Sequence, residues 1–177
     1  MTEVDLVELV AADGSPVGSS TVVDAHTAPG RLHRAFSVLL FDPSQRTLLQ
    51  RRARVKTRFP LIWANSCCGH PRPGESAVLA GRRRLTEELG VHDVDLTEVG
   101  VHVYAAADPD TGRVEREYDH VLIGRVGAGL ALAPDPDEVA ATRWEPATEL
   151  LAHLTSADTI GYAPWLAGVL AIACRSA

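Results

Sequence analysis

Hydrophobic and polar residues alternate along six stretches of the chain, which is the pattern of β-strands that bury one face. The predicted strands are residues 4–10, 35–42, 47–52, 98–104, 114–126 and 139–144. A turn sequence, Asp42-Pro43-Ser44, separates the second stretch from the third. Because aspartate, proline and serine favour tight turns, we expect these two strands to pair as a hairpin.

Three other segments have helical patterns. In residues 76–89 apolar side chains recur at helical spacing, Ser76 is placed to cap the N-terminus, and Gly90 is placed to end the helix. Two further helices are predicted for residues 146–153 and 164–174. Strands interrupted by helices indicate a mixed α/β or α+β fold, and 177 residues fit a single domain.

The composition argues against several classes of protein. The chain has 17 basic and 23 acidic side chains and a formal net charge of −6, so we expect no nucleic-acid partner. Three cysteines are too few for a disulfide framework, which favours a reducing cytoplasm. The N-terminus lacks a signal-peptide pattern, and the most apolar late segment, residues 163–174, is too short to span a bilayer. We therefore expect a cytoplasmic protein without a membrane anchor, acting as a monomer.

Three carboxylates alternate with other residues in one predicted strand. Glu115, Glu117 and Asp119 lie two positions apart, so all three project from the same side of the strand. Their mutual repulsion is costly unless water or a cation relieves it. Two interpretations are open on these residues alone: a solvated strand face, or a cation site on a partly buried strand.

Three of the seven histidines lie in conspicuous surroundings, namely His26, His33 and His70. A single histidine is more often an ordinary core or surface residue than a metal ligand, and spacing alone does not show that these three converge. Imidazoles combined with carboxylates suit an octahedral Mn²⁺ or Mg²⁺ ion better than they suit a thiolate-bound zinc. A shared metal site is one interpretation of these residues.

Residues 69–91 resemble the Nudix box, a loop–helix–loop module that handles diphosphate compounds with metal-holding glutamates on its helix. The matching residues are Gly69, Glu75, Arg83 and the run 84–91. The hydrolases of this family have glutamate at the position of Arg84, and losing that carboxylate weakens the case for hydrolytic metal chemistry. A second interpretation, compatible with the first, is that Arg83 with Glu87 and Arg84 with Glu88 form ordinary helix ion pairs, each contributing roughly a few tenths of a kcal/mol.

The whole chain resembles the type 1 isopentenyl diphosphate isomerases, which are Nudix-fold enzymes that do not hydrolyse their substrate. The matching strings, in the family's order from about residue 4 to residue 165, are AHTA, RLHRAFSVLLF, LLQRRA, FPLIW, NSCCGHP, GRRRLTEELG, VEREYDHVL and APW. Each string is weak alone, but NSCCGHP with the paired glutamates downstream is specific. The resemblance implies one Nudix domain over residues 1–177, with a mixed central β-sheet flanked by helices.

The resemblance also implies two metal sites. One divalent ion, Mn²⁺, Mg²⁺ or Zn²⁺, would be held by His26, His33, His70, Glu115 and Glu117. A Mg²⁺ ion that arrives with the diphosphate of a small-molecule substrate would be held in part by Glu88.

The remaining implied roles concern the substrate. The catalytic residues would be Cys68, Glu117 and Tyr104. The residues that bind the diphosphate would be Arg52, Lys56 and Arg84, while Tyr104 and Trp165 would line a small hydrocarbon pocket. From the residues alone, an inert buried thiol is the favoured interpretation of Cys68, since free cysteine is commonly buried.

The implied reaction interconverts isopentenyl diphosphate and dimethylallyl diphosphate. It adds a proton at the terminal methylene and removes one from the carbon next to the oxygen-bearing carbon. The intermediate resembles a tertiary carbocation, so the pocket must exclude water. We expect Glu117, assisted by Tyr104, to deliver the first proton and Cys68, on the opposite face, to remove the second; the reverse assignment also fits.

One further position departs from the family. Four residues before its first metal histidine the family usually has a lysine that contacts the diphosphate, and this chain has Val22. A charge-assisted hydrogen bond contributes roughly 1.5–3 kcal/mol. The substitution therefore predicts diphosphate binding about ten- to hundredfold weaker, unless another cation such as Arg31 replaces the lysine.

Two other classes of function are open on the sequence. A Nudix hydrolase of a nucleoside or CoA diphosphate is the nearest alternative, and Arg84 is the feature against it. The other is a non-catalytic module that binds a metal or a diphosphate. Val22 favours such a module, whereas a thiol and a carboxyl group beside an apolar pocket have no use in a mere binder.

Overall fold

The structure is a computed structural model and describes residues 3–156 and 159–176. Within these ranges there are nine strands and four helices. The strands are β1 (Leu6–Val10), β2 (Pro16–Thr21), β3 (His33–Phe41), β4 (Arg46–Arg52), β5 (Trp63–Ala64), β6 (Cys67–Gly69), β7 (Leu96–Ala107), β8 (Val114–Arg125) and β9 (Val139–Pro146). The helices are α1 (Val22–Ala25), α2 (Ala77–Leu89), α3 (Ala147–Ser156) and α4 (Leu166–Cys174).

The strands form one mixed sheet with β3 in its interior. β3 runs parallel to β8, in a register that begins with His33 opposite Glu117. It runs antiparallel to β6 and, over one residue pair, to β1. β8 pairs with β7 on its other edge, and β4 pairs with β5 and β9. The predicted mixed sheet flanked by helices is confirmed.

Local sequence patterns predicted most of the strands and helices, but they did not predict how all of the strands pair. The predicted hairpin forms only beside the turn, where Phe41 pairs with Thr47. Beyond that pair, β6 occupies the edge of β3 from Phe36 to Val38, so β4 pairs along its length with β9 instead. β5 and β6 have two and three residues and are too short for an alternating pattern to reveal.

Helix α2 begins and ends where its capping residues predict. The hydroxyl of Ser76 accepts a hydrogen bond from a backbone N–H in the first turn, and Gly90 adopts the left-handed conformation with φ 65°. The buried face carries Leu85 but also the charged residues Arg84 and Glu88. Because charged side chains are rarely buried without partners, this face must contact a polar site as well as the core.

The side chains of β3 point alternately into two hydrophobic clusters. Leu39 and Phe41 pack with residues of α3 and α4. Phe36, Val38 and Leu40 pack with residues of α2. Since successive strand residues face opposite sides, the two clusters cover the two faces of the sheet. Over residues 3–156 and 159–176, no helix has both the length and the apolarity that a membrane crossing requires.

Candidate active site and metal centre

One pocket collects most of the side chains that the sequence singled out. Cationic, acidic, aromatic and thiol groups share its surface. Its lining residues are Val22, Arg52, Lys56, Arg58, Cys68, Gly69, His70, Arg84, Tyr104, Glu115, Glu117 and Trp165.

Five buried side chains converge beside this pocket and form a candidate metal centre. They are His26, His33, His70, Glu115 and Glu117, and their ligand atoms all lie within 4.8 Å of one another. The first histidine follows α1, the second begins β3, the third follows β6, and both glutamates lie on β8. The fold therefore brings together ligands that are far apart in the sequence.

The register of the sheet places Glu117 between its partners. It lies directly opposite His33 on β3 and opposite Tyr104 on β7, and side chains opposite one another on adjacent strands are neighbours. The Tyr104 hydroxyl donates to Glu117 Oε2 at 2.6 Å. Glu117 Oε1 lies 3.0 Å from His70 Nε2 and 3.6 Å from His33 Nε2. One oxygen of the carboxylate therefore faces the histidines and the other faces Tyr104.

The hydrogen bonds of two histidines direct the Nε2 atom of each ring at the centre. Nδ1 of His26 lies 2.7 Å from the carbonyl oxygen of Val22, and Nδ1 of His33 lies 2.7 Å from that of Arg31. A carbonyl only accepts, so each Nδ1 carries a proton, and Nε2 is the ring nitrogen that faces the centre. His26 Nε2 is 2.8 Å from Glu115 Oε2, and among the described residues neither atom has a hydrogen-bond partner. A nitrogen and a carboxylate oxygen this close need a proton or a metal cation between them, and because five such ligand atoms converge, the donor set fits a divalent metal ion.

The electrostatics of the cluster favour the metal-binding forms of His70 and Glu117, but a protonated His33. Burial lowers the pKa of His70 to about 3, although Glu117 opposes this effect, so the imidazole is neutral. Burial alone would raise the pKa of Glu117, but hydrogen bonds from His33 and His70 outweigh it and hold the pKa well below its usual value. Burial lowers the pKa of His33, and the Glu117 carboxylate more than reverses this. Metal binding would displace the proton that the pair of His33 and Glu117 favours.

The interpretation of the three carboxylates as a solvated strand face is wrong. The exposed fractions of Glu115, Glu117 and Asp119 are 5%, 8% and 1%. Asp119 is not part of the five-residue cluster, and its carboxylate accepts a hydrogen bond from Ser37 Oγ at 2.7 Å. Burial and the neighbouring Glu117 charge raise the pKa of Asp119 well above its usual value, which favours its protonated form.

The two neighbouring cysteines lie in different surroundings. Cys68 lines the pocket, and Arg52 Nη1 lies 3.6 Å from its sulfur. Burial raises the pKa of Cys68 to about 12, although Arg52 opposes this, so the thiol is protonated at neutral pH. Cys67 is fully buried in the cluster that packs against α2. Since adjacent strand residues face opposite sides, Cys68 is the one of the pair that can reach a ligand in the pocket.

Aromatic side chains form another part of the pocket wall. Trp165 is 3% exposed, and its ring lies 5.8 Å from that of Tyr104 and 5.4 Å from that of Phe59. Its indole N–H donates to Asn65 Oδ1 at 3.0 Å, which fixes the ring orientation. The guanidinium of Arg52 lies 5.9 Å from the centre of the Trp165 ring. The wall is therefore rigid and apolar on the side where a hydrocarbon would lie.

Lys56 and Arg84, two of the predicted diphosphate-binding cations, meet at one carboxylate that the sequence interpretation missed. Glu138 pairs with Lys56 through Oε2 and with Arg84 Nη2 through Oε1 at 2.9 Å. Arg84 also contacts Glu88 at 2.5 Å, and the two side chains are 6% and 3% exposed. This pair is therefore buried and is not an ordinary solvent-exposed helix pair. Glu88 lies outside the five-residue cluster and accepts a second hydrogen bond from Gln50 at 3.0 Å.

A fourth cation in the pocket, Arg58, was also missed. Its Nε lies 3.2 Å from Glu115 Oε1, and its Nη1 lies 3.0 Å from Glu3 Oε1. Arg31, which was considered as a replacement for the lysine absent at Val22, is exposed and donates to Ser20 instead. No periodic signal distinguishes Arg58 from its neighbours in the loop after β4, because its position depends on partners distant in the sequence.

The Glu138→Gln variant is expected to lose more stability at neutral pH than near pH 3. Burial alone would raise the pKa of Glu138, but Lys56 and Arg84 outweigh it and lower the pKa from 4.5 to about 2. A depressed folded-state pKa stabilises the protein above the unfolded value, and this contribution is lost as the pH falls from 4.5 towards 2. Allowing for solvent screening, we expect a loss of about 1–2 kcal/mol at neutral pH. Urea unfolding near pH 7 and near pH 3 measures it, and an equal loss at both would contradict the assignment.

Comparisons with known proteins define the class to which this fold and site belong. A family model described as NUDIX domain matches residues 31–166. The structure is similar to that of DR0079 from Deinococcus radiodurans, with a TM-score of 0.74 and 20% identity over 94% of this chain and 98% of that chain. It is also similar to the E. coli dihydroneopterin triphosphate pyrophosphohydrolase, with a TM-score of 0.59 and 14% identity over 86% and 99% of the two chains. At these identities the structural likeness shows the Nudix fold alone.

Proteins with similar sequences show which family within this class the chain belongs to. The isopentenyl-diphosphate Delta-isomerase of Nocardia farcinica is 59% identical over 167 residues, which cover 94% of this chain and 93% of the relative. That of Streptomyces coelicolor is 49% identical over 148 residues, which cover 84% of this chain and 74% of the relative. The chain belongs to the isopentenyl-diphosphate Delta-isomerase family of Nudix proteins. The resemblance on which the sequence interpretation depended is thus confirmed.

Proposed function

We propose that this protein is an isomerase that interconverts isopentenyl diphosphate and dimethylallyl diphosphate, as the names of its relatives say of them. The observation that carries the proposal is that Cys68 and the hydrogen-bonded pair of Tyr104 and Glu117 line one pocket. Shifting a double bond by one carbon requires one proton to be added and another to be removed next to an apolar substrate. A thiol and a carboxyl group beside an aromatic wall meet that requirement.

The diphosphate of the substrate would bind to the cationic side of the pocket. Arg52, Lys56 and Arg84 line it and offer charge-assisted hydrogen bonds to phosphate oxygens. Lys56 and Arg84 now contact Glu138, so binding would exchange one carboxylate for several phosphate oxygens. Arg58 adds a further positive charge to the same surface, although Val22 contributes none.

The protons would be transferred where Glu117, Tyr104 and Cys68 line the pocket. Glu117, assisted by the Tyr104 hydroxyl, and Cys68 would transfer the two protons: one group would add a proton to the terminal methylene, and the other would remove one from the carbon next to the oxygen-bearing carbon. Because the reaction is reversible, each group donates in one direction and accepts in the other. A positioned acid or base contributes about 10² to 10⁴-fold, so both groups and the electrostatics around them must act together.

The aromatic wall would stabilise the intermediate between the two proton transfers. The positive charge that develops on the substrate is tertiary, and an aromatic face can stabilise a desolvated cation by about 2 kcal/mol. Trp165 and Tyr104 are placed to do so because they line the pocket. They also exclude the water that would otherwise capture the cation.

The five-residue cluster would hold one divalent ion, Mn²⁺, Mg²⁺ or Zn²⁺, and Glu88 would help to hold a Mg²⁺ ion brought by the diphosphate. When bound, the ion at the cluster supplies positive charge that orders the glutamates and lowers their proton affinity. Glu117 would remain the residue that carries the proton, through the oxygen that faces Tyr104.

Adding Mn²⁺ to metal-free protein is expected to raise its melting temperature. A ligand that binds only the folded state at a hundred times its dissociation constant contributes about 2.7 kcal/mol. The His26→Ala variant removes one of the five ligands and is expected to lose most of this shift. His92→Ala is the matched control, since His92 is exposed and outside the cluster. Thermal unfolding with and without Mn²⁺ measures the effect, and an unchanged shift in His26→Ala would contradict the metal assignment.

The experiment that tests the proposed function incubates purified protein and Mg²⁺ with isopentenyl diphosphate. We expect the dimethylallyl isomer without released phosphate. Release of phosphate, or of a nucleotide from a nucleoside diphosphate compound, would favour the Nudix hydrolase instead. Binding without any product would favour a non-catalytic module.

A further inference from the structure

A thin aromatic wall separates the pocket from a groove on the protein surface. Phe59, Asp108 and Pro164 contribute to the groove, which has a volume of about 280 Å³. Trp165, the next residue after Pro164, and Tyr104 line the pocket on the inner side. Phe59 packs edge-on against Trp165 with ring centres 5.4 Å apart. These two rings therefore form the barrier between solvent in the groove and the pocket.

The loop that carries Phe59 has a backbone conformation that needs external support. Phe59 has φ 46° and Leu61 has φ 61°, both in the left-handed region that bulky residues rarely adopt. Such a conformation persists only where surrounding contacts impose it. Two side chains do so at Phe59: Arg52 Nε donates to its carbonyl oxygen at 2.9 Å, and its N–H donates to Asp108 Oδ2 at 2.7 Å.

Asp108 is well placed for this support because it is itself immobile. It is 2% exposed, and its carboxylate also accepts hydrogen bonds from Thr111 Oγ1 at 2.7 Å and from the Asp110 N–H at 3.0 Å. The hydrogen bond to Phe59 crosses from the β7–β8 turn to the loop after β4. Removing the carboxylate leaves a buried N–H without a partner, which favours movement of the loop and of the Phe59 ring.

We infer that Asp108 is a positioning residue that keeps water out of the pocket by holding Phe59 against Trp165. This inference rests on the proposed function, because dryness matters only if a carbocation forms. If water enters, its oxygen bonds to the tertiary carbon and one of its protons is lost to solvent. The product is then a tertiary alcohol diphosphate, one water heavier than the isomer, and no oxidant or other reactant is needed.

The test measures how the products partition in Asp108→Ala. Protein, Mg²⁺ and isopentenyl diphosphate are incubated in oxygen-labelled water, and mass spectrometry counts the dimethylallyl isomer and the labelled tertiary alcohol. Because misplacing a group by about 1 Å can change a rate by roughly a hundredfold, we expect the ratio of alcohol to isomer to rise at least about tenfold over wild type. In Asp108→Asn a side-chain oxygen can still accept from the Phe59 N–H, so an intermediate ratio is expected.

Asp110→Ala is the matched control, since Asp110 is exposed in the same turn and only its backbone contacts Asp108. Its ratio of alcohol to isomer is expected to equal that of wild type. A wild-type ratio in folded Asp108→Ala, or an equal rise in Asp110→Ala, would overturn the inference. If Asp108→Ala does not fold, a wild-type ratio in Asp108→Asn would overturn it. Failure of the proposed function is recognised separately, because wild-type protein would then form no isomer.

Discussion

Replacing Cys68 with alanine is expected to reduce isomerisation by at least about 10³-fold, because the substitution removes one of two proton-transfer groups. The sulfur lines the pocket beside Arg52, and among the described residues the other nearby thiol, that of Cys67, packs in the core. Among the described residues that line the pocket there is no second thiol to replace it. The measurement is the steady-state conversion of isopentenyl diphosphate to its isomer by wild type and variant.

The matched control for this prediction is Cys67→Ala. It deletes an adjacent thiol from the same strand, but on the face that packs against α2. We expect a loss of stability of about 1 kcal/mol from the small cavity and retention of most of the activity. Equal losses of activity in the two variants would mean that the choice of Cys68 is wrong.

Glu117→Gln is expected to reduce isomerisation still further, by about 10⁴-fold, because the substitution affects two functions at once. The carboxylate faces the histidines of the metal cluster with one oxygen and the Tyr104 hydroxyl with the other. An amide of the same size neither donates nor accepts a proton as an acid or base at neutral pH, and it is a weaker metal ligand. The variant should remain folded, since glutamine fills the same volume within the sheet.

Circular dichroism and thermal unfolding establish that Glu117→Gln is folded before its activity is interpreted. Glu149→Gln is the matched control, because Glu149 is exposed on α3. It is expected to have wild-type activity. Near-native turnover by folded Glu117→Gln would contradict its role in proton transfer. A Tyr104→Phe variant is expected to lose less activity than Glu117→Gln, because Tyr104 acts through the carboxylate of Glu117.

Local signals in the sequence located most of the elements, and helix α2 shows why. Its N-cap, Ser76, and its terminal glycine, Gly90, satisfy backbone groups within a few residues, so its limits do not depend on the rest of the fold. Its charged buried face could not be anticipated in the same way. The buried pair of Arg84 with Glu88 depends on Glu138, which precedes β9 and is distant in the sequence.

The ligands of the metal centre converge through strand pairing, which no local sequence pattern reveals. His33 and Glu117 meet because β3 and β8 are parallel in one register, and a shift of one residue would turn Glu117 to the other face. The alternation of the three carboxylates was visible in the sequence, but not whether that face was buried or solvated. Their residue types were informative only together with the family resemblance.

The central claim is that Glu117 and Cys68 move the double bond by adding one proton and removing another. Its most direct test runs the reaction in deuterium oxide with Mg²⁺ and analyses the dimethylallyl diphosphate by NMR. We expect deuterium in the methyl group formed from the terminal methylene, and no released phosphate. Isomer formed without deuterium would contradict proton addition from the protein, and phosphate release in place of isomer would contradict the assignment of the reaction itself.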